Sequence, residues 1–260
     1  MWESPFVDIL INAYDQLLQP SDLKGTIHNH STYSDGQNTL EEMALAAKAL
    51  GLQYLGIADH SQTATYAQGL TEEQILRQHA EIDKLNSQIT DFHIFKGIES
   101  DILPDGQLDY PADVLASFDF VVASVHSGLS MDADKATERL IRAIDSPFTY
   151  LLGHPTGWLL LKREGYKPDM KKIIDACASN GVCIEINANP WRLDIEWRWI
   201  PYCMEKGVHI SINPDAHETK GYLDTIYGVW MAQKGGLTKD MTLNTLGVNE
   251  ISAYFKQKKK

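Results

Sequence analysis

The segment TIHNHSTYSDG, residues 26–36, places two histidines at i and i+2 and an aspartate five residues after the second. In an extended chain, residues i and i+2 share a face. His28 and His30 would then point the same way, with Asp35 delivered by the loop that follows. Two imidazoles and a carboxylate meeting at one point form a donor set for a divalent cation. A histidine pair alone is a weak sign, because imidazoles at a strand end also meet water or backbone partners. The wider chain strengthens it. Of the nine histidines, His28, His30, His60, His126, His154 and His217 all fall in short polar motifs, HNHS, ADHS, SVHS, GHPTG and PDAH. Glu99 lies in a sixth such motif, GIES, and Asp215 in PDAH.

These motifs end a repeating unit. After about two dozen residues, a short β-rich run closes in polar residues and a helical stretch follows. The strand candidates are 25–31, 54–61, 93–102, 120–127, 150–157, 182–190 and 208–217. Between the first two, Leu40, Met43, Ala44, Ala47 and Leu50 recur at helical spacing behind Thr39 and Glu42, a capping-box pair. The stretches KPDMKKIIDACASNG and YCMEKG read as helices closed by a C-cap glycine. Alternating β and α units predict a parallel sheet, doubly wound or closed as a barrel. Either arrangement gathers function at the C-terminal ends of the strands, where these histidines sit. His79 falls on a helix and His93 and His209 at strand starts, and all three read as ordinary structural histidines.

The totals bound the rest. The 260 residues, 43% hydrophobic and 22% charged, describe a globular α/β chain of one large domain or two small ones. No apolar run approaches the roughly 20 residues of a membrane span, and the N-terminus lacks the pattern of a signal peptide. Cys177, Cys183 and Cys203 form no paired motif, which points to a reducing compartment, the cytoplasm by default. A formal charge of −12 argues against a broad duplex-DNA footprint. The KQKKK tail reads as solvated.

The full candidate ligand set is His28, His30, Asp35, His60, Glu99, His126, His154, Asp215 and His217. Nine donors exceed one ion and suffice for two or three, with Glu99 as a bridge. Imidazole and carboxylate without thiolate suit Mn²⁺, Zn²⁺ or Fe²⁺, and not Ca²⁺. Such a cluster acidifies bound water to hydroxide near neutral pH and clamps the oxygens of a displacement at phosphorus. Its ions would outweigh its three carboxylates and attract a phosphate ester. Arg192 could hold a phosphoryl oxygen, or pair with Asp194 or Glu196. Asn187 and Asn189 could donate to ligand carboxylates or cap their loop. Asp59 is expected to support the ligands from behind, and the tryptophans of PWRLDIEWRWI to pack helices.

From about Gly25 to its end the chain resembles the PHP family, named for polymerase and histidinol phosphatase. The resemblance rests on HNHSTYSDG, ADHS, GIESDIL, SVHS, GHPTG, EINANPWRLD and PDAH, in order. It implies a distorted (β/α)7 TIM-like barrel with the metal site at the C-terminal ends of the strands. It implies one ion between His28, His30, Glu99 and Asp215, a second on Glu99, His126 and His154, and a third on Asp35, His60 and His217. Within the family, DLKGTIHNHSTYSDGQNTLEEMA and EINANPWRLD are most similar to the C-terminal module of bacterial family X DNA polymerases. That likeness implies Mn²⁺-dependent 3′-5′ exonuclease action on single-stranded DNA 3′ ends. It also implies an upstream polymerase domain, whereas here residues 1–24 read as a linker-like segment before a phosphoesterase domain at 25–260. The basic residue expected after GHPTG is replaced by Trp158, leaving Lys162 and Arg163 as phosphate contacts. The leading expectation is a metal-dependent phosphoesterase in which Glu99, Asp215 and Arg192 take part in catalysis. The alternatives are a small-molecule phosphomonoesterase of the histidinol phosphatase kind, a non-catalytic metal-stabilised accessory module, and hydrolysis at an amide carbon.

Overall fold

The structure, a computed structural model, describes residues 17–258. Residues 1–16 of the linker-like segment and the last two lysines of the tail lie outside the described residues. Seven strands form one sheet in chain order, and every neighbouring pair is parallel. They are β1 (Gly25–Thr26), β2 (Tyr54–Ile57), β3 (His93–Asp101), β4 (Phe120–Ser124), β5 (Leu151–Leu152), β6 (Cys183–Asn187) and β7 (Ile210–Asn213). The crossovers carry α1 (Leu40–Ala49), α2 (Glu72–Gln88), α3 (Ala112–Leu115), α4 (Ala133–Ile144), α5 (Met170–Asn180) and α6 (Ile200–Glu205), followed by α7 (Thr225–Lys234) and α8 (Val248–Lys258). The sheet curls until β1 returns beside β7, which makes the expected distorted (β/α)7 barrel.

The helices start and stop where their sequence directs. Thr39 and Glu42 form the reciprocal cap of α1, and Thr71 with Gln74 does the same for α2. Asp169 caps α5, which ends on Gly181 in the left-handed region. The strands are shorter than the sequence pattern suggests. Among the nine candidate ligands only Glu99 sits inside a strand; seven others lie two to four residues beyond a strand end and Asp35 nine beyond. His154 and Asp215 have positive φ, 23° and 53°, so the chain turns off the ladder as it presents them.

The β1–β7 seam is closed by side chains as much as by ladder bonds. Asn213 Oδ1 accepts from the Ile27 amide at 3.0 Å. Asn244 donates to the carbonyls of Gly25 (3.0 Å) and Ile212 (2.9 Å) and accepts from the Ile212 amide at 2.7 Å. An Asn29–Ala216 bridge completes the closure. At the opposite end of the strands, Phe255 of α8 packs on Phe95, Phe120 and Tyr150, so the core is plugged below and the C-terminal face stays open.

Strand β3 serves both halves of the barrel. It pairs with β2 through Lys96 and with β4 from Gly97 onward. The Phe120 ring fills the space beside that hand-over, and a Cβ on Gly97 would lie 2.1 Å from Phe120 Cζ. Gly97→Ala is therefore expected to destabilise the barrel by about 1–3 kcal/mol through overpacking, seen as a thermal midpoint several degrees lower. An unchanged midpoint would show that Phe120 moves freely.

Candidate metal centre

The open face of the barrel gathers all nine predicted residues. Glu99 occupies the middle. Its Oε1 lies 2.9 Å from His154 Nε2, 3.2 Å from His28 Nε2 and 3.3 Å from His126 Nε2. Its Oε2 lies 3.0 Å from His60 Nδ1 and 3.7 Å from His30 Nε2. Asp215 Oδ1 is 3.0 Å from His30 Nε2 and 3.6 Å from His28 Nε2. Asp35 Oδ1 is 3.3 Å from His217 Nε2 and 3.6 Å from His60 Nε2. His28 and His30 stand as the opening motif predicts, with rings 5.4 Å apart and aimed at the same two carboxylates.

Three groups have donor atoms close enough to share an ion: His30, Asp35, His60 and His217; His28, His30 and Asp215; and His60, Glu99 and His126. Bonds of about 2.1 Å around a tetrahedral ion set its donors roughly 3.4 Å apart, which matches the spacings above. His28 Nε2 and Glu99 Oε2 are buried without a hydrogen bond, as a ligand atom and its bridge would be. The residues fit divalent ions.

A layer of carboxylates and carbonyls fixes the rings. Glu185, at the end of neither a motif nor a strand, accepts from His28 Nδ1 at 2.7 Å and from the His154 amide at 2.8 Å. Asp101 accepts from His126 Nδ1 at 2.5 Å, and the Asp215 carbonyl from His217 Nδ1 at 2.9 Å. Each of the three ring bonds places a proton on Nδ1 and turns Nε2 toward the centre as the lone-pair ligand atom. Neither Glu185 nor Asp101 stands out in the sequence as part of the site. The available signal is a charged residue inside an otherwise apolar strand, CIEIN, and a second acid directly after GIES.

Asp59 behaves as expected of a support. Its carboxylate accepts from the Ser31 amide and hydroxyl, from Ser34 and from Gln78, which anchors the loop between His30 and Asp35. Asn187 donates to Asp215 Oδ2 at 3.0 Å, whereas Asn189 accepts from the Trp191 amide and shapes its own loop. Arg192 pairs through Nε with Asp215 Oδ2 at 3.5 Å, rather than with Asp194 or Glu196. Lys162 lies over the Trp191 ring, 5.2 Å from its centre, and Arg163 Nε donates to the Gly157 carbonyl. Trp197 and Trp199 pack on the core, while Trp191 is exposed. Tyr66, which no motif singles out, stands exposed beside the centre with its ring 6.0 Å from His60 and 6.3 Å from His126.

The electrostatics are those of a tightly packed set of opposite charges. Burial alone would raise the Glu99 carboxyl, yet His126, His28 and His60 outweigh it and hold it well below the usual range. Asp215 is depressed in the same way, burial being overcome by His28, His30 and His217. Burial opposes charging of His126, but Glu99 and Asp101 lift it to about 9. His30 is pushed down to about 3 by burial, with His217 and His60 adding to the effect.

Two outcomes are expected. Chelation of the protein should lower its thermal midpoint, and Zn²⁺ or Mn²⁺ at about 100 times its dissociation constant should restore roughly 5 °C or more; a midpoint indifferent to metal would contradict ion binding here. Glu185→Gln, which keeps the shape but removes the charge behind His28, should weaken zinc affinity by about 10–100-fold in competition with an indicator.

Comparison with known proteins agrees with this geometry. Residues 26–189 match the PHP domain family. The chain is 40% identical over 242 residues to the DNA polymerase/3′-5′ exonuclease PolX of Bacillus subtilis, a match covering 93% of this chain and 42% of that protein. It thus spans less than half the length of that relative. A probable phosphatase of Thermoanaerobacter sp. is 30% identical over 245 residues, covering 90% of this chain and 94% of the other. The histidinol phosphate phosphatase of Lactococcus lactis, solved with zinc, L-histidinol and phosphate, shares the fold with a TM-score of 0.62 at 18% identity, over 82% of this chain and 94% of that one. With its barrel, its ring of strand-end histidines and this match, the chain belongs to the PHP domain family.

Proposed function

We propose that this metal-dependent phosphoesterase trims single-stranded DNA from its 3′ end. The observation that carries the reading is the 40% identity to the Bacillus polymerase and 3′-5′ exonuclease, maintained over 93% of the chain. In this reading residues 25–260 are the phosphoesterase domain, and its nine strand-end ligands hold two or three ions. Mn²⁺ is the first choice, with Zn²⁺ and Fe²⁺ compatible with the same donors. Zinc in the Lactococcus relative supports a centre of this kind.

Bound there, divalent ions supply Lewis acidity, lowering the pKa of water and neutralising phosphoryl oxygens. The chain's own groups do the rest. Glu99 ties the three donor groups together, and Glu185 and Asp101 keep the Nε2 atoms of His28 and His126 turned inward. Arg192 keeps Nη1 buried and without a hydrogen bond, a donor suited to a phosphoryl oxygen. Partial desolvation, with Glu99, Asp101 and Asp35 adding to it, raises the exposed Tyr66 hydroxyl above its ordinary range, so it stays protonated and can donate to the ester. Buried free cysteines agree with a cytoplasmic setting, and among the described residues no helix is long and apolar enough to cross a membrane.

The test is a 5′-labelled single strand incubated with the purified chain and Mn²⁺, with Asp215→Asn as control. A ladder of shortened products, lost in the control by a factor of 100 or more, is expected. Intact DNA together with turnover of small phosphomonoesters would replace this reading with the small-molecule phosphatase, which the −12 charge and the full-length match to the Thermoanaerobacter protein favour.

A further inference from the structure

A cavity of about 420 Å³ adjoins the metal centre and shares only Arg192 with the chemistry above. Trp158, Tyr166, Trp199 and Leu193 line it, together with Arg192 and Asp194. Small-molecule sites occupy roughly 300–1,000 Å³ and combine aromatic walls with a few polar groups; this cavity has that size and make-up. Arg192 is the common boundary, since it lines the cavity while its Nε lies 3.5 Å from Asp215. The cavity therefore begins one side chain from the metal centre.

Two of its lining residues carry polar atoms that are buried without a hydrogen bond, Tyr166 Oη and Asp194 Oδ1. The other Asp194 oxygen is engaged, accepting from the Thr156 amide at 3.1 Å and the Thr156 hydroxyl at 2.7 Å. Buried polar atoms in folded proteins are almost always paired. An acceptor and a hydroxyl left over beside the same cavity suit a ligand edge that brings its own donor. Trp158, a residue 40% exposed, closes one side and offers an apolar surface that a planar group could cover.

We infer that this cavity seats the base of the strand's terminal nucleotide, stacked on Trp158 with its polar edge toward Asp194 and Tyr166. The inference rests on the 3′-end reading. A nucleotide carries its base one sugar away from its phosphate, and Arg192 supplies that offset between the ester at the metal centre and the ring in the cavity. Stacking on an aromatic ring tolerates every base, as an exonuclease requires. A carboxylate acceptor matches the exocyclic amino groups of adenine, cytosine and guanine and the N3–H of thymine.

Deoxyadenosine has no ester to hydrolyse, so it reports binding alone. Saturation-transfer NMR on the zinc-loaded chain should show transfer concentrated on the adenine protons over those of the sugar. Trp158→Ala should reduce that transfer at least fivefold, and Trp158→Phe should retain most of it. Absence of transfer, or equal transfer in the alanine variant, overturns the inference. In the cleavage assay, a strand ending in an abasic nucleotide should be trimmed about tenfold more slowly than one ending in a base, and Trp158→Ala should abolish the difference. An equal rate on the two strands in the wild type also overturns it. Adenine transfer lost in Trp158→Ala, without any strand cleavage, would retire the nuclease reading and leave the cavity as a nucleobase site.

Discussion

A carboxylate cannot be buried without something to answer its charge. Glu99, Glu185 and Asp215 are all buried within one region at the top of the barrel, and Asp101 and Asp59 lie close behind them. Arg192 is the one arginine or lysine paired with this group among the described residues. Imidazoles supply most of the partners nearest the centre, five of them around Glu99 alone, while Ser31, Ser34 and Gln78 answer Asp59. Desolvating so many anions is costly, and divalent cations are the counter-charge that nine convergent donors are built to hold. Much of the surrounding architecture follows from that need. Strands stop short so that loops can turn ligands inward, and two residues adopt left-handed backbone to do so.

The barrel makes this concentration of charge affordable by keeping everything beneath it apolar. Phe120, Phe95 and Phe255 fill the lower core, and Gly97 gives up its side chain to admit the Phe120 ring. The site is thus a polar cap on a close-packed body. Rigidity below is what allows the imidazole nitrogens above to hold spacings of 2.9–3.7 Å around one carboxylate.

Much of this was legible in the residues. Histidines at successive strand ends reveal the centre because parallel β/α units bring all those ends to one face, so order along the chain becomes proximity in space. Glu185 escaped for the opposite reason. It reads as one charge in an apolar strand, and its partners, His28 and the His154 amide, come from loops beyond strand ends, 157 and 31 residues away. No local spacing records such a pairing. Strand ends were overestimated because period-two patterning continues through residues that have already left the ladder. Lys162 looked free to meet phosphate, but a cation beside an exposed indole in space is invisible in sequence. Arg192 pairs with Asp215 and not with Asp194 or Glu196, the near neighbours that sequence suggests.

The seam between β1 and β7 has a consequence for how the protein is made. It joins Thr26 to Asn213, 187 residues apart, and the ligands on its two sides belong to the earliest and latest parts of the barrel. A chain still emerging from the ribosome holds His28, His30 and Glu99 well before Asp215 and His217 exist. Until the last strand arrives, the donor group of His28, His30 and Asp215 is incomplete. Barrel closure and completion of the donor set therefore depend on the same late strand, and a chain cut before β7 would lack both the seam and the donors Asp215 and His217.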